Sequence, residues 1–220
     1  MRVCVLYSGG KDSNLALLKA SEEFEVSCLL SLKPKSEESV LFHYPNVDLV
    51  YLQSRALEIP LIAERCGDDE LSSLKALKSG LIRAKSEYGV EGVVSGAIKS
   101  VYQATRFQRV CDELNLWCFN PLWLRDEVSI LKEIVERGFE VIFTRVAGLD
   151  RRFLGRRIDL KVVEELERIK SYVNPAGEGG EFETLVLNMP LFKKKIRILE
   201  SRVVEGKFDA TLIVERAELV

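Results

Sequence analysis

The chain has 220 residues, of which 47% are hydrophobic and 30% charged, and its net charge is −2. That length supports one large domain or two small ones around a buried core, and the composition is that of an ordinary globular protein. The charge balance gives no reason to expect a nucleic acid or other polyanion as partner. No stretch approaches the roughly 20 apolar residues of a membrane span.

The first residues run straight into a strand-like segment, Val3 to Tyr7, with no basic and apolar leader, so a cytoplasmic setting is expected. Ser13 to Ala20 carries Leu15, Leu17 and Leu18 at helical spacing. Val26 to Leu32 reads as a strand, Val47 to Leu57 as a helix and Pro60 to Ala63 as a short strand. Asp69 to Tyr88 is a long amphipathic helix closed by Gly89. Gly92 to Ser95 is a strand, Tyr102 to Leu114 a helix, and Leu116 to Phe119 a strand. This alternation predicts an α/β fold: a Rossmann-like, doubly wound parallel sheet with helices on both faces.

After Pro121 the pattern changes. Val128 to Arg137 and Leu160 to Tyr172 read as helices around a strand at Glu140 to Val146. Three strand-like runs follow without helices between them: Leu185 to Met189, Ile196 to Val204 and Ala210 to Val214. The expectation is a smaller C-terminal α+β lobe. The boundary is set at residue 124, giving 1–124 as the ATP-binding domain and 125–220 as a substrate-binding lobe. No Pro/Ser linker marks it, so the lobes are expected to pack closely and share a cleft.

The five cysteines, Cys4, Cys28, Cys66, Cys111 and Cys118, are scattered without a CxxC pair, which suits reduced, largely buried thiols and weakens a zinc or iron–sulfur reading. Basic residues gather at Arg151, Arg152, Arg156 and Arg157, and at Lys193, Lys194, Lys195 and Arg197, where a solvated surface is the plainer reading. Trp117 and Trp123 are read as core residues.

The most informative stretch is Ser8-Gly9-Gly10-Lys11-Asp12-Ser13, between the first strand and the first helix. Glycine there lets the backbone turn sharply and approach a ligand. Free N–H groups at a helix start favour an anion. Lys11 adds a charge, and Ser8 and Ser13 add hydroxyls, at a turn expected to be exposed. Asp12 would repel phosphate unless it helps hold Mg²⁺ beside it. Neither GxxxxGK[ST] nor GxGxxG fits the segment. It resembles instead the loop of the PP-loop ATP pyrophosphatases. The resemblance implies attack on the α-phosphorus of ATP, with pyrophosphate as leaving group.

A second cluster, Ser95 to Gln103 with Arg106, sits at the C-terminal end of a later strand, where open α/β sheets bind ligands. Gly96 permits close backbone approach. Ser100, Tyr102, Gln103 and Arg106 are polar groups near a helix start and are candidate nucleotide contacts; a helix cap with surface polar residues is the alternative. A third cluster, Gly177 to Thr184, places Glu178, Glu181 and Glu183 among three glycines. It suits a cation, whether Mg²⁺, ammonium or a cationic substrate; a solvated acidic turn is the other reading.

Together these stretches resemble the diphthine–ammonia ligase family over almost the whole chain. The resemblance rests on SGGKDS at Ser8, SGAIKSVYQATR from Ser95, CDELNLWCFNPLW ending at Trp123, GLDRRFLGRRID from Gly148 and GEGGEFETLVLNMPLF from Gly177. Phe42-His43-Tyr44-Pro45-Asn46 resembles the family's histidine-containing segment. Asn188 departs from it, standing where aspartate is expected, and is read as structural.

The resemblance implies that diphthine, a modified histidine with a trimethylammonium group and a carboxylate on translation elongation factor 2, is the substrate. Its carboxylate attacks ATP, and free ammonia displaces AMP from the acyl-adenylate. Lys11, Asp12, Glu178, Glu181 and Glu183 are then the catalytic candidates. His43, Trp123 and the three glutamates are the substrate-binding candidates, with Trp123 offering an aromatic face to the trimethylammonium group. A homodimer is compatible with the sequence. Two rivals stay open at this point: a PP-loop enzyme acting on tRNA, and a nucleotide-binding module without turnover.

Overall fold

The computed structural model describes residues 1–33 and 46–220. His43 and its neighbours Phe42, Tyr44 and Pro45 lie outside the described residues. Five strands form a parallel sheet: β1 (Arg2–Leu6), β2 (Glu25–Lys33), β3 (Leu61–Arg65), β4 (Gly92–Val94) and β5 (Trp117–Phe119). Their spatial order is β3-β2-β1-β4-β5. The chain leaves β1 towards β2 on one side and later returns to β4 on the other. The carboxyl ends of β1 and β4 therefore flank the switch point at which such sheets bind ligands.

Helices α1 (Lys11–Glu23), α2 (Val50–Leu57), α3 (Glu70–Tyr88) and α4 (Val101–Glu113) connect these strands. The starts of α3 and α4 are written in the sequence. Asp69 and Ser100 accept hydrogen bonds from the N–H groups of Ser72 and Gln103. Gly89, at φ 66°, closes α3 in the left-handed conformation that glycine takes most cheaply.

The rest of the chain supplies α5 (Glu127–Glu136), β6 (Glu140–Val146), α6 (Leu160–Arg168), β7 (Phe182–Asn188), β8 (Ile196–Glu205) and β9 (Ala210–Leu219). The strands pair antiparallel in the order β7-β6-β9-β8. One apolar core crosses residue 124. It runs from Val3, Leu15 and Leu17 through Ile130, Leu131 and Ile134 of α5 to Phe143 of β6 and Val163 of α6. A second core, on the other face of the parallel sheet, joins Cys4, Leu30, Ile62, Leu81, Val93 and Val110. The parallel sheet is thus covered on both faces, as its near-continuous apolar strands require.

Several elements differ from the sequence reading. Strand β9 runs to Leu219 rather than ending at Val214, because Arg197–Glu218, Arg202–Glu215 and Glu200–Arg216 pairs carry the ladder beyond its apolar run. Helix α6 stops at Arg168, and the chain turns on to Tyr172. Trp117 is not core: it opens the edge strand β5 and is 68% exposed. Cys4, Cys28, Cys66 and Cys111 are buried, Cys118 is half-buried, and all five are free thiols. Burial pushes the Cys66 thiol up, which makes it a poor nucleophile. Among the described residues no helix is long and apolar enough to cross a membrane.

Candidate active site

Ser8 to Gly10 leave β1 and open α1. Gly9 adopts φ 81°, and Gly10 precedes the helix in an extended conformation with no side-chain cap. The Gly10 carbonyl accepts from Ser13 Oγ at 3.1 Å and Asn14 Nδ2 at 2.9 Å. Asn14 in turn accepts from the buried Tyr7 hydroxyl at 2.7 Å. The loop is therefore held from beneath by buried polar groups, with its Ser8, Gly10 and Asp12 face on the cavities.

Lys11 and Asp12 do not lie on an open turn. Lys11 is only 2% exposed, because β7 and the segment before Gly177 close over it. Its ammonium donates to Asp12 Oδ2 at 2.8 Å and to the Ala176 carbonyl at 2.5 Å. It also stands 5.4 Å from the centre of the Phe182 ring. Its backbone N–H donates to Thr184 Oγ1 at 3.1 Å. Lys11 thus ties the loop to the Ala176 and Thr184 segments. Asp12 Oδ1 is buried without a hydrogen-bond partner among the described residues.

Two cavities flank the loop. The first is lined by Ser8, Gly10, Lys11, Asp12 and, from the second lobe, Thr144, Glu178, Phe182, Glu183 and Thr184. The second is lined by Tyr7, Ser8, Asp12, Ser95, Gly96, Gln103, Phe107 and Glu178. Ser8, Asp12 and Glu178 belong to both and form the wall between them.

The three glutamates of the glycine-rich stretch separate into three environments. Glu178 accepts from the Lys99 N–H at 3.2 Å. Burial, and then the charge of Asp12, push its carboxyl above the usual carboxylate range. Glu181 lines neither cavity. It accepts from the Asn174 and Gly179 N–H groups at 3.0 and 2.9 Å and so clamps its own loop. Glu183 lies on β7 with its side chain 11% exposed, 3.5 Å from Arg145. The glycine-rich stretch is thus not a loop throughout, since Phe182, Glu183 and Thr184 belong to a strand.

The second cluster divides as well. Gly96 and Gln103 line the second cavity. The close approach that Gly96 allows is to the chain itself, since a Cβ there would come within 2.8 Å of the Asp12 carbonyl carbon. Ser100 is the cap of α4. Tyr102 and Arg106, expected at the nucleotide, face α3 instead. Arg106 holds Glu70 through two bonds of 2.6 and 3.0 Å, and the Tyr102 hydroxyl donates to the same carboxylate. The guanidinium stacks on the Tyr102 ring. These hydrogen bonds hold the Glu70 carboxyl below its ordinary range. Trp123, in the turn after β5, lines neither cavity, and Phe182 is the aromatic residue at the first one. Asn188 closes β7 opposite Glu140, away from both cavities.

Sequence reasoning missed Asn14, Gln53, Thr144, Asn174 and Thr184. Asn14 and Gln53 did carry a signal, being polar residues inside otherwise apolar helical faces. Asn174 accepts from the Ala176 and Glu178 N–H groups and shapes the loop; nothing local in the sequence marks it.

A glycine phosphate loop at the switch point of a doubly wound sheet, roofed by a carboxylate-bearing strand and loop, defines a nucleotide-handling α/β enzyme of PP-loop type. The profile of the diphthamide synthase N-terminal domain matches residues 1–117, and that of the diphthamide synthase C-terminal domain matches residues 126–220. The chain belongs to the diphthamide synthase family. The protein named diphthine–ammonia ligase in Rattus norvegicus is 36% identical over 236 residues, which cover 96% of this chain and 87% of that one. Its namesake in Homo sapiens is 34% identical over the same coverage. The one in Schizosaccharomyces pombe is 35% identical over 93% of this chain and 37% of its own length. Among solved structures, a predicted subunit of tRNA methyltransferase from Methanocaldococcus jannaschii superposes with a TM-score of 0.49 at 15% identity, covering 86% of this chain and 98% of that chain.

Proposed function

We propose that this chain is an ATP-dependent diphthine–ammonia ligase, the activity named for relatives that align with 96% of it. The geometry that supports a single site for the reaction is the shared wall. Asp12 and Glu178 face both cavities, so a reactant in each would meet across them. In this reading the phosphate loop takes the β- and γ-phosphates. The nucleoside enters the second cavity, against Gly96, Gln103 and Phe107. Diphthine enters the first, where Glu183 and Phe182 offer a carboxylate and a ring to the trimethylammonium group.

The carboxylate oxygen of diphthine attacks the α-phosphorus, and the bond to pyrophosphate breaks. Ammonia then attacks the acyl carbon, AMP leaves with the bridging oxygen, and the amide remains. Lys11 neutralises charge at the loop. Glu178, at the junction, accepts the proton that ammonium gives up. Glu181 acts at one remove, by holding the loop that carries Glu178. Elongation factor 2 supplies the diphthine.

Mg²⁺ fits the site. Asp12 Oδ1, buried and without a hydrogen-bond partner among the described residues, is a hard oxygen donor beside the loop. Magnesium typically takes only one or two carboxylates, with phosphate and water completing the shell. When bound, it would neutralise charge developing on the phosphates.

The test combines ATP, ammonium and diphthine-bearing elongation factor, and measures AMP, pyrophosphate and amide. Equal amounts of the three are expected. AMP formation independent of the modified protein, or amide formation with ADP as product, would sink the reading. Transfer RNA should leave the rate unchanged.

A further inference from the structure

Gly9 is the residue of the phosphate loop with a left-handed backbone, and its carbonyl points away from the cavities. Two donors hold it there, Gln53 Nε2 at 2.9 Å and the Val186 N–H at 3.1 Å. The same Gln53 nitrogen donates to the Val186 carbonyl at 2.8 Å. Gln53 is 0% exposed, on a helix whose other buried residues are apolar. A buried primary amide in such a place is costly unless its hydrogen bonds are used. Here both donated bonds go to the seam between the phosphate loop and β7, while Gln53 Oε1 is buried without a hydrogen-bond partner among the described residues. The fit is close enough that a Cβ on Gly9 would stand 2.4 Å from Gln53 Oε1.

The consequence follows from peptide planarity. In a trans peptide the C=O and the following N–H point in opposite directions. Fixing the Gly9 carbonyl towards Gln53 and β7 therefore fixes the Gly10 N–H towards the side where Ser8 and Gly10 line the first cavity, and there it makes a long hydrogen bond of 3.4 Å to Ser8 Oγ that a phosphate oxygen would replace. We propose that Gln53 is a positioning residue for ATP, setting the Gly9–Gly10 peptide so that the Gly10 N–H is offered to the β- and γ-phosphates. This rests on the reading above that the loop takes the pyrophosphate end of the nucleotide. Gln53 touches no phosphate itself. Without Gln53 the Gly9 carbonyl keeps only the Val186 N–H, and the glycine peptide is held less firmly in its preset orientation.

The test compares wild type with Gln53→Met, which keeps the volume and removes the donors, and with Gln53→Leu, which also removes them. Dissociation constants are measured by calorimetry for ATP, inorganic pyrophosphate and AMP, each with magnesium. ATP and pyrophosphate should weaken roughly tenfold, the scale of losing a buried hydrogen-bonded orientation. AMP, which lacks both outer phosphates, should bind as in wild type, and its binding also reports that the variant is folded. If Gln53→Met does not fold, Gln53→Leu carries the comparison rather than Gln53→Glu, since a carboxylate there would face the Gly9 and Val186 carbonyls. Unchanged ATP and pyrophosphate binding in a variant that binds AMP overturns the proposal. Equal weakening of all three overturns it too, since that is the pattern of general damage. A wild-type protein that binds AMP but not pyrophosphate would instead overturn the phosphate-loop reading.

Discussion

The phosphate loop and the acidic stretch from Gly177 both bring charged residues and glycines to the same cavity, yet they are built in different ways. In the first, six consecutive residues make one continuous turn from a strand into a helix, and the proposed phosphate contacts rest on the backbone N–H groups of that turn. In the second, three glutamates within six residues go to three places. Glu178 walls the two cavities, Glu181 ties its own loop, and Glu183 sits on a strand beside Arg145. A motif whose function lies in the backbone survives as a readable string. A motif whose function lies in side chains depends on where the chain turns.

Substitutions can break or sharpen this contrast. The largest effect belongs to the phosphate loop: Lys11→Ala and Asp12→Ala should each lower pyrophosphate release by a hundredfold or more, as when a preorganised charge at a reacting group is lost. They should differ in stability. Lys11→Ala strips partners from Asp12 and the Ala176 carbonyl and should cost about 1–3 kcal/mol in denaturant melts. Asp12→Ala should cost less. Equal losses of stability would mean that Lys11 does not tie the loop to the Ala176 segment.

Glu178→Gln should reduce amide formation by roughly a hundredfold while the ligand-free protein melts no lower. The folded-state pKa of Glu178 lies above its unfolded value, so its protonation stabilises the fold at low pH. That contribution is lost as pH rises through the folded-state pKa. The neutral amide should therefore raise stability near neutral pH by a few tenths of a kcal/mol to about 1 kcal/mol, after allowance for solvent screening. Activity and stability falling together would place Glu178 with the structural residues.

Glu183→Gln should spare ATP affinity and raise the KM for the diphthine-bearing protein about tenfold, the scale of one charge-assisted contact. Glu181→Gln should weaken the loop clamp by about 1 kcal/mol and lower kcat with both substrates, without selectivity for either. Smallest of all, Arg106→Ala or Tyr102→Phe should change stability by at most about 1 kcal/mol, since the Glu70 pair is partly exposed. Their KM for ATP should match wild type, and a large rise there would return both residues to the nucleotide.

The parallel sheet was legible because each strand is a short apolar run, and α3 and α4 have capping residues, α3 also a glycine stop, so local and global signals agree. The end of β9 was not, because Glu215 and Arg216 break the apolar run and their partners lie across the hairpin. Trp117 misled because size alone suggests burial, whereas the first residue of an edge strand has no neighbour on one side. At the site, the string from Ser8 to Ser13 was readable, but the burial of Lys11 was not. It depends on Ala176 and Thr184, more than 160 residues away in sequence. Tyr102 and Arg106 looked like ligand contacts for a related reason, since their partner Glu70 is on another helix.

The central claim is that the diphthine carboxylate attacks the α-phosphorus of ATP, and isotope transfer tests it most directly. Diphthine labelled with ¹⁸O in its carboxylate is presented on the protein substrate with ATP and ammonium, and the AMP formed is analysed by mass spectrometry. The account predicts one labelled oxygen in the AMP for each amide formed from fully labelled carboxylate, because the bridging oxygen leaves with the phosphorus. Unlabelled AMP, or label recovered in inorganic phosphate or pyrophosphate, would contradict it.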